Sequence, residues 1–165
     1  MPDLLLNSTL VVIDVQKGFD DPRWGRRNNP QAESNIRRIL EAWRTARMPV
    51  IHTQHCSREP DSPLRVCVEG NEIKEIASPL PSEVVLRKNV NSAFIGTDLE
   101  SRLRSNHVET VVLVGMTTDH CVSTTARMAA NLGFDTYVVS DATATFDRTG
   151  SDGESTQPRK YMWRT

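Results

Sequence analysis

Three residues of this 165-residue chain have the types needed for thiol chemistry, and each stands where an apolar run ends. Asp14 closes "TLVVID" (9–14), Lys88 closes "EVVLRK" (83–88), and Cys121 lies in the turn after "TVVLVG" (110–115). A thiol becomes a nucleophile when its thiolate is favoured, and a helix N-terminus or a neighbouring cation favours it. A helix starting near Thr118 places Cys121 in its first turn, among unpaired backbone N–H groups able to hold an oxyanion. Lys88 would supply the cation, and Asp14 would accept the thiol proton. Burial would raise the pKa of Asp14 and a lysine partner would lower it, so the direction stays open. Each residue also has an inert alternative: Cys121 as a small core hydrophobe, Asp14 as a turn former or cap, Lys88 as a solvated charge. Residue pattern leaves these alternatives standing.

The elements that would carry these residues alternate. Two further β-branched runs, "PVIHTQ" (49–54) and "DTYVVSD" (135–141), make five strands, and their near-continuous apolar character suits strands buried on both faces. Between them, 34–47 places Ile36, Ile39, Leu40 and Trp43 at helical spacing after Ser34 as N-cap, with Met48-Pro49 as the stop. A second helix is expected over 97–105, opened by a capping box of Thr97 with Glu100. A third follows Thr118 and is closed by Gly133. Strands alternating with helices predict an α/β fold, three layers with a doubly wound, mostly parallel sheet. In such folds ligands bind outside the carboxyl ends of the strands, where Asp14, His52 to His55, Lys88 and the turn from Gly115 to Cys121 fall.

Composition narrows the function. Lys and Arg (20) nearly balance Asp and Glu (21), for a net charge of −1, so no long-range field draws the chain to nucleic acid or an anionic membrane. A small-molecule substrate is expected. Three cysteines without a CxxC pair, Cys56, Cys67 and Cys121, argue against a disulfide framework or a zinc ribbon. With no signal-peptide pattern and no apolar run near the ~20 residues that span a bilayer, the expectation is a soluble cytoplasmic protein.

Three blocks, "LVVIDVQKGF", "VVLRKNVNSAFIGTDLESRLR" and "VVLVGMTTDHCVSTTARMAANLGFDTYVVSDATATF", resemble the signature blocks of the isochorismatase-like cysteine hydrolases in order and spacing over about residues 9 to 147. The resemblance implies catalytic roles for Asp14, Lys88 and Cys121. It implies a cis peptide between Met116 and Thr117, with the backbone N–H groups of Thr117 and Cys121 as oxyanion hole. The mechanism implied is covalent and cofactor-free: Asp14 takes the thiol proton, Cys121 attacks an amide-type carbonyl, and water resolves a thioester. The retained Cys121 favours amide, carbamoyl or ureido substrates over a vinyl ether, with a non-catalytic ligand-binding or thiol-sensing protein as the rival.

Nicotinamidases of the family hold a divalent ion through an Asp and histidines after the second strand. Here Gln54 stands where that Asp is expected, so no metal is expected. Phe19, Trp24, His55, Phe94 and His120 are the candidate pocket residues, and Arg26, Arg27 and Asn28 are either substrate donors or an exposed basic loop. The domain is taken as 1–147, with 148–165 as a polar surface tail. A short end that leaves sheet surface uncovered, in a family commonly oligomeric, predicts a homo-oligomer, dimer or larger.

Overall fold

The computed structural model describes residues 7–149 and the backbone of 155–156. The main sheet is built from β1 (Ser8–Ile13), β2 (Val50–His55), β3 (Val84–Lys88), β4 (Thr110–Met116) and β5 (Asp135–Ala144). All four pairings are parallel, in the order β3-β2-β1-β4-β5. The first four strands lie within one residue of the apolar runs that announce them, and β5 runs three residues further. The chain winds outward from β1 to β3 on one side and from β4 to β5 on the other. That reversal opens a crevice at the carboxyl ends of β1 and β4.

Side-chain alternation divides the core into two layers. Leu10 and Val12 of β1, Val50 of β2, and Val112 and Val114 of β4 pack against Ile36, Leu40 and Trp43 of α1 (Ala32–Thr45). Val11 and Ile13, Ile51, Leu86, Val111 and Leu113 face the other way. They meet Leu99 and Leu103 of α2 (Leu99–Ser105), and Ala129 of α3 (Ser123–Asn131). The sheet is thus covered on both sides, giving the three-layer α/β/α arrangement.

Two helix starts differ from the sequence reading. α1 begins at Ala32 after a turn in which Ala32 N donates to Asn29 O, so Ser34 lies inside the first turn and its hydroxyl donates to Gln31 O at 2.8 Å. The cap shifts because Ala32 is itself fully buried and belongs to the packed face. At α2, Thr97 Oγ1 donates to Ala93 O and accepts from Leu99 N, while Glu100 pairs with Arg104, so no reciprocal capping box forms. The end of α3 is a Schellman motif: Gly133 at φ 88° lets its N–H reach Ala130 O and that of Phe134 reach Ala129 O, both at 3.0 Å.

Gly115 is required by contact. Its register partner is Ile13, its φ is 122°, and a Cβ there would lie 2.0 Å from Ile13 O. Only glycine lets β4 approach β1 this closely beside the crevice. Of the segment read as a polar tail, Arg148–Thr149 (β6) pairs antiparallel with Ser155–Thr156 (β7), and the rest of it from 150 on lies outside the described residues. Among the described residues no helix is long and apolar enough to cross a membrane.

Candidate active site

A reset of strand alternation delivers Asp14. Leu10 and Val12 point toward α1, and Val15 packs in that same layer, although strict alternation would send Asp14 there instead. Asp14 has φ 50°, in the left-handed region that Asp tolerates better than most residues. This single residue turns the chain over, and its carboxylate joins the side facing α2 and α3. On β2 the same face carries Ile51, Thr53 and His55; on β3 it carries Val84, Leu86 and Lys88. Period-two spacing therefore aligns Thr53, His55 and Lys88 beside Asp14 at the carboxyl ends.

Their contacts are direct. Lys88 Nζ lies 2.5 Å from Asp14 Oδ2 and also donates to Val90 O at 3.2 Å. Thr53 Oγ1 donates to Asp14 Oδ1 at 2.6 Å. Cys121 enters from above the sheet, on a single wide turn of π-helical bonding over Thr118–Val122. The Met116–Thr117 peptide before it is cis. In this turn the N–H groups of His120 and Val122 both close onto Thr117 O. The arrangement brings Cys121 Sγ to 3.4 Å from Lys88 Nζ.

Cys121 is only 6% exposed, and Asp14 and Lys88 are buried deeper still. Burial foremost, with the adjacent Asp14 charge adding to it, pushes the Cys121 thiol up to about 12; the Lys88 ammonium opposes this without overcoming it. The helix-terminus argument predicts a depressed thiol. The structure corrects that expectation, because desolvation and a carboxylate outweigh the cation. At rest the nucleophile is a thiol. His55 is held below the usual histidine range, first by burial and then by the Lys88 charge, so its neutral Nδ1 faces Lys88 Nζ at 3.4 Å.

The remaining candidates divide. Met116 is fully buried in a cluster with Phe19 and Phe146, and Trp24 packs against it. Phe19, Trp24 and Phe146 stack at centroid separations of 5.6 to 6.2 Å, and Trp24 Nε1 donates to Gly18 O. Phe94 stacks on Phe134 within the core between the sheet and α2 and α3. These aromatics are packing first. His120 is exposed, with Nδ1 at 3.2 Å from Arg148 Nη2, and joins none of Asp14, Lys88 and Cys121. The basic loop is spent on structure: Arg26 pairs with Asp147, Arg27 with Glu33, and Asn28 Oδ1 accepts from Thr145 N.

The residues after β2 do not fit a metal centre of the nicotinamidase kind. Gln54 faces away from the site, donating to Asn71 O and accepting from Arg87. His52 is on that opposite face too, 2.9 Å from Glu83. The residue that does face the site is His55, as its alternation with Ile51 and Thr53 requires. Asp14, His55 and Cys121 offer ligand atoms within 4.8 Å of one another, yet the Lys88 ammonium already stands 2.5 to 3.4 Å from all three.

Sequence reasoning passed over Thr53 and Asn91, whose Oδ1 lies 3.9 Å from Cys121 Sγ. Thr53 was findable by counting back two from His55. Asn91 lies in an irregular segment, where periodicity gives no signal.

This chain matches the family model described as Isochorismatase domain over residues 8–161. The chain belongs to the isochorismatase family. Among its relatives, the Bacillus subtilis isochorismatase family protein YrdC is 56% identical over 137 residues, covering 83% of this chain and 73% of that protein. A crystal structure of an isochorismatase-family member from Chromobacterium violaceum superimposes with a TM-score of 0.87 at 43% identity, covering 91% of this chain and 78% of that one. Nicotinamidase 3 of Arabidopsis thaliana is 31% identical, covering 85% of this chain and 74% of that protein. Within the isochorismatase family this protein is a hydrolase, on the same three-layer fold.

Proposed function

We propose that the protein hydrolyses the C–N bond of a small carboxamide, carbamoyl or ureido compound through a thioester on Cys121, with no metal. The observation that carries this reading is the Lys88 ammonium, buried between the carboxylate of Asp14 at 2.5 Å and Cys121 Sγ at 3.4 Å.

A thiol that ionises only near 12 cannot wait as a thiolate, so proton removal accompanies attack. Asp14 takes the S–H proton as Sγ bonds to the substrate carbonyl carbon. The oxyanion goes to the N–H groups of Thr117 and Cys121, in a turn where the N–H groups of His120 and Val122 are engaged internally. Collapse breaks the C–N bond, and the leaving nitrogen takes the proton from Asp14. Water then attacks the thioester and gives a proton to Asp14. The C–S bond breaks, and the departing sulfur recovers that proton as the thiol. The sum is an amide plus water giving an acid plus ammonia or an amine. Thr53 and Lys88 hold the carboxylate in place throughout.

The rival thiol-sensing role fits less well, because sensor cysteines are exposed thiols with depressed pKa values, whereas Cys121 is buried and raised. The name Nicotinamidase 3 of one relative supports an amide substrate. Ammonia release from a panel of small amides, carbamates and ureido acids tests the reading. Turnover of at least one, abolished in Cys121→Ala, is the expected result, and turnover that survives this substitution would overturn it.

A further inference from the structure

We infer that Asn91 reads the nitrogen of the scissile bond, making the preferred substrate class one whose leaving nitrogen carries N–H. The inference rests on the covalent reading above. Asn91 is exposed, its Oδ1 lies 3.9 Å from Cys121 Sγ, and among the described residues its carboxamide has no other hydrogen-bond partner. The backbone on both sides of it is held. Val90 O accepts from Lys88 Nζ at 3.2 Å, Ser92 Oγ accepts from Phe94 N, and Ala93 N donates to the buried Thr125 Oγ1 at 3.0 Å. Asn91 is therefore an open amide on a fixed base beside the nucleophile.

When Sγ bonds to the carbonyl carbon, the scissile nitrogen sits one bond beyond that carbon. An oxygen 3.9 Å from sulfur is within hydrogen-bond reach of that position. Asp14 accepts from Thr53 and Lys88 and, in the cycle above, carries the proton to the nitrogen, so it acts there as donor and leaves the N–H already on that nitrogen to a separate acceptor. Asn91 Oδ1 accepts an N–H and repels the lone pairs of an ester oxygen, and a site built around such a donor rejects analogues lacking it. A neutral hydrogen bond of this kind corresponds to about a 3- to 10-fold effect on rate.

The test needs no knowledge of the natural substrate. p-Nitrophenyl acetate acylates the thiol, releasing p-nitrophenolate, and the acetyl-enzyme is then shared between water and hydroxylamine. Attack by hydroxylamine gives acetohydroxamate and the free thiol, and it presents N–H to Asn91 as the reverse of amide cleavage does. In Asn91→Ala the ratio of hydroxamate to acetate should fall about 3- to 10-fold, and because both products come from one acetyl-enzyme the ratio is independent of how fast the p-nitrophenolate burst forms it. Asn91→Asp, which retains an acceptor oxygen, should preserve the ratio. An unchanged ratio in Asn91→Ala would overturn the role of Asn91 alone. A burst that persists in Cys121→Ala, or no burst in the wild type, would overturn the covalent reading and this one with it.

Discussion

Lys88 Nζ and Asp14 Oδ2 stand 2.5 Å apart, and both side chains are fully shielded from solvent. Two charges in that position need each other, since removing one leaves the other buried and uncompensated, at a cost of about 3–5 kcal/mol. Lys88→Met and Asp14→Asn should each lower unfolding stability by about that amount and abolish turnover. The double variant should be more stable than either single one, because no orphaned charge remains. Urea unfolding of the four proteins measures the coupling, and strict additivity would show that the pair contributes no mutual stabilisation.

The raised thiol sets a second expectation. An unperturbed cysteine ionises near ~8.5, whereas burial and Asp14 place Cys121 at about 12. Alkylation of Cys121 by iodoacetamide, followed on its own peptide by mass spectrometry, should keep accelerating with pH well beyond ~8.5, where a free thiol levels off. Asp14→Asn removes the negative charge that is the second-largest cause of the shift, so its profile should move to lower pH. Lys88→Met removes the opposing cation, so its profile should move up. A wild-type profile that levels off near ~8.5, as a free thiol does, would contradict the assignment.

Much of this site is legible in the chain, for identifiable reasons. Asp14 and Lys88 close β-branched runs, Cys121 lies in the turn after another, and in a doubly wound sheet the ends of such runs converge. The left-handed Asp14 is not legible, because a single αL residue leaves no periodic trace while reversing which side every later residue faces. His55 is legible, because period-two spacing from Ile51 puts it on the site face and Gln54 on the other. The thiol's raised pKa is not legible for another reason. Helix position can be read from sequence, whereas the depth of burial that decides the shift is a tertiary property.

On the opposite face of β2, His52 Nε2 and Arg44 both contact Glu83, which also accepts from Leu80 N. Burial pushes the Glu83 carboxyl up, but the bonds from Arg44, Leu80 and His52 outweigh it and bring it down to about 2. A depressed carboxyl stabilises the fold above its unfolded value near ~4.3, and that contribution is lost as pH falls toward 2. Glu83→Gln should therefore be less stable than wild type at neutral pH by about 1–3 kcal/mol, with the gap closing below pH ~4. Chemical unfolding at several pH values checks it, and a gap that stays constant down to pH 2 would remove Glu83 from the acid response.

The sheet's two edges carry the last prediction. Among the described residues β3 and β5 each bond to one neighbour only. Val85 on β3 is 38% exposed and Tyr137 on β5 is 44% exposed, with Val90 and Ile95 open beyond the end of β3. Exposed strand edges with apolar side chains invite pairing with another chain unless something covers them. The net charge of −1 supplies little repulsion between copies. We propose that a second copy covers one edge, so that size-exclusion chromatography with light scattering should give a dimer or larger at micromolar concentration. Tyr137→Lys and Val85→Lys, made separately, identify which edge is used. The variant that shifts the mass to that of the 18.5 kDa monomer names it, and a wild-type protein already at that mass would refute the assembly.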